Sequence, residues 1–363
     1  MMRHPIPVAH IDSLESYIPG KRGNKAAGRV IKLSSNENPA GPSPLALEAY
    51  NATAATLHRY PEDGAPSLCT ALAEMHGVAA RQIICGAGSD DVIRMLCHAF
   101  AGPGDEVIHS RHGFAMYKIY ARQYGATTIA FDEPELRTDI DVLLSKVTER
   151  TKLVFIANPN NPTGSYIGRD AIHELRARLP EPVILCLDGA YAEYLDAADY
   201  SDGKALVDTS STVCMRTFSK AYGLPTLRIG WGYGPAHIID YLYKVRSPFN
   251  VSQPAIDAAL AALVDTTYLQ QHVAMNNTER QRLDSALQAL ELSPLPSAAN
   301  FLLVNFGSPE RATSADVYLQ ERGIIIRSVA NYDLPHCLRI SVGLAEENDA
   351  LLNALTDWRK TYA

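Results

Sequence analysis

At 363 residues the chain is too long for one small core and suits two domains, or one large domain with a smaller companion. Its net charge of -7, with 33 basic residues scattered along it, leaves no basic stripe and so excludes a nucleic-acid partner, and no apolar run approaches the roughly 20 residues of a membrane span. The N-terminus lacks the apolar stretch of a secretion signal, and the six cysteines show no CxxC spacing and sit mostly in apolar runs, so the expectation is a soluble cytoplasmic protein without a bound metal.

In chain order, the first 33 residues are polar, contain Pro and Gly, and read as an arm. The segment PSLCTALAEMHG places Leu68, Leu72 and Met75 on one helical face and stops at Gly77. Between residues 82 and 234 short β-rich runs follow one another: QIICG, EVIHS, TTIAF, KLVFIAN, VILCLD, TVCMRTF and RIGWGYG. Most are apolar on both faces, as strands covered by helices on both sides are. Helical patterns separate several of them. In SDDVIRMLCHAF, Ser89 stands as N-cap before two acids, and Val92, Ile93, Leu96, Cys97 and Phe100 share a face. This pattern predicts an α/β fold with a mostly parallel sheet. After about residue 246 the texture changes to long helical stretches from 254 to 292, then ANFLLVNF, a helix near 313 to 322, GIIIRSV and CLRISVG. That alternation predicts a smaller α+β domain, giving an arm at 1–33, a large domain at 34–245 and a small domain at 246–363.

Five stretches carry chemistry, and open α/β sheets bind ligands at strand ends. CGAGSDD, residues 85–91, sets small residues between a strand and a helix start, where backbone N–H groups and Ser89 can approach a phosphate; alone it is equally a tight turn. RHGFAMYKIY offers Phe114 as a ring to lie on another ring, or as a core residue. NPNNPTG, residues 158–164, locks Asn161 between prolines, which a turn by itself does not require. In LDGAYAEY, Asp188 ends an apolar strand, costly unless it meets a cation such as a protonated pyridine nitrogen or caps the next helix. In TFSKAYGLPTLRIG, residues 217–230, Thr217, Ser219 and Arg228 can grip a phosphate while Lys220 reaches a carbonyl to form a Schiff base.

These strings, together with SSNENPAGPSP, RYPEDG and GIIIRSVANYDLPHCLRISVG, resemble in order and spacing the fold type I pyridoxal-phosphate aminotransferases. The resemblance covers the chain from SYIPGK near residue 17 to VGLAEEN near 348. It implies a large domain with a seven-stranded, mostly parallel sheet and pyridoxal 5'-phosphate as cofactor. By the same resemblance, Lys220 is the Schiff-base lysine, Asp188 the partner of the pyridine nitrogen, and Tyr191 and Asn161 hydrogen-bond the phenolic oxygen while Phe114 stacks on the ring. Ala87, Gly88, Ser89, Thr217, Ser219 and Arg228 hold the phosphate, and Tyr60 reaches in from the second subunit of a homodimer. Arg339, Arg327, Tyr17 and Asn36 bind the substrate. The implied reaction is ping-pong transamination, with histidinol phosphate as donor and 2-oxoglutarate as acceptor. An aromatic or other amino-acid donor, a threonine-phosphate decarboxylase and a non-catalytic binding module are the alternatives. The chain departs from the usual family pattern at Ala87, His112, Gly113, Gly189, Thr226 and Ser247, none of which removes a chemical role.

Overall fold

The computed structural model describes residues 6–12, 14 and 30–362. Its strands are β1 (Ile31–Lys32), β2 (Ile83–Gly86), β3 (Glu106–Ser110), β4 (Thr127–Phe131), β5 (Thr151–Ala157), β6 (Ile184–Asp188), β7 (Thr212–Thr217), β8 (Gly230–Tyr233), β9 (Ser293–Pro294), β10 (Phe301–Asn305), β11 (Ile324–Ile325), β12 (Arg327–Ser328) and β13 (Cys337–Ser341).

The apolar runs between 82 and 234 form one seven-stranded sheet in the order β2-β8-β7-β6-β5-β3-β4. Neighbours from β4 to β7 pair in parallel, and only β8 runs against both its neighbours. The two-residue period divides each central strand between two cores. Val154, Ile156, Leu185 and Leu187 pack on one face under the helices Pro66–His76, Arg169–Arg178 and Gln253–Val264. Leu153, Phe155, Ile184 and Cys186 pack on the other under Ser89–Phe100 and Ala236–Val245. Both faces are therefore dry, which is why these strands read as continuous apolar runs.

Beyond this sheet, β12-β13-β10-β9 form an antiparallel sheet and β1 pairs in parallel with β11. Leu33, Leu283, Leu302, Ile340, Leu355 and Trp358 share its core with the helices Thr266–Ala289, Pro309–Glu321 and Ala345–Tyr362. The last residues of the arm, Ile31 and Lys32, are thus stitched to Ile324 and Ile325 near the C-terminus. Among the described residues no helix is long and apolar enough to cross a membrane, and all six cysteines are buried thiols.

Two local expectations need correction. Met75 is exposed, because the buried stripe of its helix is centred on Leu72 and His76 and leaves residue 75 on its edge. Ser89 is the first helical residue rather than the cap: Gly88 takes that place at φ 88°, and its N–H bonds Gly86 O at 2.7 Å. A positive φ suits glycine alone among the residues of that turn.

Strand β8 passes directly beneath this turn. A Cβ on Gly230 would lie 2.4 Å from Ser89 N and 2.7 Å from Gly88 C, and neither backbone atom can yield as a flexible side chain would. Gly230→Ala is expected to cost about 1–3 kcal/mol, read as a lower denaturation midpoint at unchanged slope. Gly102→Ala, whose Cβ would meet only Asp105 Oδ2 at 3.9 Å, should be near neutral.

Candidate active site

The C-terminal ends of β5, β6 and β7 open into one cleft, lined by Ser89, Phe114, Asn161, Asp188, Tyr191, Thr217, Ser219, Lys220 and Arg228. Residues more than a hundred positions apart in sequence meet there because adjacent parallel strands end side by side.

Asp188 closes β6, whose five residues are all buried. Its Oδ2 accepts from Tyr117 Oη at 2.7 Å and its Oδ1 from Ala190 N–H at 3.1 Å. Burial pushes its carboxyl up to about 6 against the pull of these two donors. Tyr117 is itself fixed by stacking on Phe155 at 4.8 Å, and Phe114 meets it edge-on at 5.8 Å.

Lys220 follows β7. Its Nζ donates to Ser35 O at 3.3 Å and lies 5.7 Å from the centre of the Tyr191 ring. Burial, reinforced by the positive charge of Arg339, lowers its amine to about 8. Tyr191 is buried, and its hydroxyl accepts from Asn36 Nδ2 at 2.9 Å. Asn36 in turn takes a bond from Ser341 Oγ at 3.0 Å and sits at φ 54°, so it braces Tyr191 from behind.

The asparagines of NPNNPTG divide their work. Asn158 bonds both backbone groups of Ile167, at 2.9 and 3.1 Å, and Asn160 holds Thr163 Oγ1 at 3.0 Å. Asn160 also donates outside the loop, to His112 O and Glu133 Oε1 at 3.4 Å, whereas Asn161 turns its amide toward the small sheet and accepts from Arg339 Nη1. Arg339, buried on β13, also donates from Nη2 to Ser34 O at 2.8 Å. Arg327 is directly opposite it in the β12–β13 register and half-buried.

At the other end of the cleft, Arg228 adopts φ 50° and sends Nη1 to Ser219 Oγ at 3.3 Å and Nη2 to Asp90 Oδ2 at 3.3 Å. A Cβ on Gly88 would stand 2.4 Å from that Nη2, so only glycine leaves room for the guanidinium. Ala87 O takes a further bond from Arg228 at 3.4 Å, while Thr217 Oγ1 accepts from Ser219 N–H at 3.1 Å. Burial raises the Asp90 carboxyl despite the nearby Arg228 and Lys220.

Of the residues singled out in the sequence, Ala87, Gly88, Asn36 and Arg339 form the cleft's supporting layer. Tyr60 is elsewhere, 84% exposed and stacked on Phe249 at 4.7 Å. Tyr17 lies outside the described residues. Sequence reasoning did not find Tyr117, Asp90 or Ser35. Asp90 was visible only as an acid in a first helical turn, and Tyr117 carried no signal beyond its place three residues after Phe114.

The donor set fits a phosphorylated pyridine aldehyde. A hydroxyl, a glycine turn and a guanidinium converge at one end, a buried carboxylate with no lysine or arginine among its bonding partners stands at the centre, and an amine of lowered basicity lies beside it. Among the described residues no cluster suited to a metal ion occurs.

The chain belongs to the aminotransferase class I and II family, which it matches over residues 28–355. It is 53% identical over 335 residues to the histidinol-phosphate aminotransferase of Dinoroseobacter shibae, covering 92% of each chain. To that of Rhodospirillum centenum it is 45% identical over 361 residues, covering 99% of this chain and 100% of the other. Histidinol-phosphate aminotransferase from Sinorhizobium meliloti, solved in complex with pyridoxal-5'-phosphate, superposes at TM-score 0.93 with 30% identity over 99% of both chains. Aspartate aminotransferase from Thermus thermophilus shares the fold at TM-score 0.84 and 23% identity.

The lowered basicity of Lys220 is directly testable. In cofactor-free protein, the rate at which an aldehyde or acylating probe modifies Lys220 should rise with a midpoint near pH 8, while exposed lysines respond near their ordinary value of about 10.4. Peptide mapping across a pH series reads both. A Lys220 midpoint at the surface value would show that burial and Arg339 do not act on it.

Proposed function

We infer that this chain is a pyridoxal-phosphate-dependent histidinol-phosphate aminotransferase, converting L-histidinol phosphate and 2-oxoglutarate to imidazole acetol phosphate and glutamate. The observation that carries the reading is the convergence of Lys220, Asp188, Asn161 and Arg228 in one cleft, in a chain 53% identical to a relative of that name.

Bound pyridoxal 5'-phosphate supplies an aldehyde that condenses with amines and a ring that accepts electrons. The chain's own groups do the rest. Gly88, Ser89, Thr217, Ser219 and Arg228 would hold the phosphate, with Ala87 behind them, and Phe114 would face the ring. Asp188 would keep a proton on the ring nitrogen, a role suited to a buried carboxylate already bonded by Tyr117. Asn161 and Tyr191 would bond the phenolic oxygen. Lys220 would take the proton from the donor's Cα and return it to the carbon on the other side of the amine nitrogen, because an amine that gives up its charge near pH 8 can act both as base and as acid near neutrality. Arg339, Arg327, Asn36 and Tyr17 would serve the donor's anionic end.

We place the protein in the cytoplasm and divide it into the arm at 1–33, a large unit and a small one. Because Val251, Ile256 and Ala259 pack in the large unit's core, the working boundary falls after the helix Gln253–Val264 rather than at residue 246. We also take the active unit to be a homodimer. Leu45, Leu47, Tyr50, Leu57 and Tyr60 are all exposed along one stretch of chain, a surface that a second copy would cover.

Lys220→Ala should abolish transamination while the protein remains folded and binds cofactor through the phosphate end. Retention of more than a trace of turnover would remove Lys220 from its role. Mixing Lys220→Ala chains with Tyr60→Ala chains should recover activity, since one site of each hybrid then holds both Lys220 and Tyr60; no recovery despite demonstrated subunit exchange would count against a shared site.

The donor is tested by a substrate panel. Charge-assisted bonds are worth about 1.5 to 3 kcal/mol, so Arg327→Ala should lower kcat/KM for histidinol phosphate on the order of tenfold or more and hurt phenylalanine or tyrosine less. An aromatic amino acid far ahead of histidinol phosphate, with both equally affected by the substitution, would replace this donor with an aromatic one.

A further inference from the structure

Two cysteines outside the cleft stand side by side. Cys69 lies in the first turn of Pro66–His76 and Cys85 on β2; their Sγ atoms are 3.7 Å apart and both are buried. Among the described residues no other two cysteine sulfurs are in hydrogen-bond contact. The Cys69 thiol also contacts Gly64 O at 3.4 Å and Tyr243 Oη at 3.8 Å. The bond with Cys85 lowers the Cys69 thiol, helped by Tyr243 and Arg246, while the same bond and burial push Cys85 up. Two thiols in contact supply both an attacking and a resolving cysteine. The exposed residues Asp63 and Pro66 lie just ahead of Cys69 in the chain.

The pair also sits where two functional segments are fastened. Asn250 Nδ2 donates to Cys85 O at 3.1 Å and to Asp91 Oδ2 at 3.0 Å, and Asp91 Oδ2 takes the Ala87 N–H at 3.2 Å. The Cys85 peptide is therefore part of the bracket that shapes the turn at Gly86–Ser89. On the Cys69 side, Asp63 is held by Arg246 at 2.8 Å and by Phe249 N–H at 3.2 Å, and Tyr60 stacks on that phenylalanine. Bringing the sulfurs from 3.7 Å to the roughly 2.05 Å of a disulfide ties Pro66–His76 to β2 beside both segments and replaces the thiol contacts with Gly64 O and Tyr243 Oη.

We propose that Cys69 and Cys85 are a redox-sensitive dithiol that hydrogen peroxide closes to a disulfide, loosening the phosphate-end turn so that the holoenzyme loses cofactor. In the first step the Cys69 thiolate attacks one peroxide oxygen, the O–O bond breaks, and the departing hydroxide takes up a proton to leave as water. The sulfenic acid on Cys69 is then attacked by Cys85: the S–S bond forms, the S–O bond breaks, and a second water leaves with the Cys85 proton. The two thiols lose two electrons in all, and one peroxide becomes two waters.

The bond does not depend on the catalytic reading, whereas its effect on cofactor does, and the test separates them. Holoenzyme is treated with hydrogen peroxide, its remaining thiols are alkylated, and its peptides are mapped without reduction. The expected product is one cross-linked peptide pair joining Cys69 to Cys85, lighter by two hydrogens and released by dithiothreitol. Cofactor absorbance retained after desalting should fall in parallel and recover on reduction with added cofactor, and Cys69→Ser protein should show neither change. Free or over-oxidised Cys69 and Cys85 in wild-type protein would overturn the dithiol. A complete cross-link with cofactor retention unchanged would overturn its coupling to the phosphate end.

Discussion

A carboxylate at the end of a strand that is buried along its whole length is the constraint around which this molecule is arranged. Asp188 cannot be solvated, and a charge in that position is expensive without a partner. The protein answers with a tyrosine hydroxyl and a backbone N–H, which hold the carboxyl near 6 but supply no positive charge at bonding distance. The remaining demand is for a cation inside the cleft. A protonated ring nitrogen would meet that demand, and the same desolvation that penalises the carboxylate would then strengthen its hold on the cofactor.

Lys220 is governed by the opposite requirement. Burial disfavours its charge, and Arg339 adds repulsion, so its amine reaches the neutral form at a pH where an ordinary lysine would not. Arg339 does this without approaching the amine as a ligand; its bonds go to Ser34 O and Asn161. One guanidinium therefore joins β13, the segment after β1 and the loop after β5, and at the same time tunes the amine. This coupling ties assembly of the second core to the chemistry of the first.

At the Gly88–Arg228 end of the cleft the device is steric. Gly88 lets Arg228 lie against the turn, and Gly230 lets β8 pass beneath it; a methyl group at either place would move backbone or guanidinium. Asp90 pairs with Arg228 at 3.3 Å, although burial raises its carboxyl.

Much of this was legible in the sequence, because local chemistry dictated it. Double-sided apolar runs announced a covered parallel sheet, and Asn161 and Lys220 stood out in settings that a purely structural role would not need, whereas the roles of Asp188 and Arg228 came from the resemblance to a known family. The sequence also erred by small amounts where a neighbour decides the outcome: a positive-φ glycine moved the helix cap from Ser89 to Gly88, and the orientation of one helix left Met75 outside. Tyr117, Ser35 and the Cys69–Cys85 contact could not be read at all. Each depends on elements distant in sequence arriving within about 4 Å of one another, and hydrogen-bond and thiol chemistry fall off over that distance. Residue order by itself determined which groups the chain carries and on which strand ends they stand. Only the tertiary structure decided which of them touch, because contact between remote segments is set by sheet order and packing rather than by spacing along the chain.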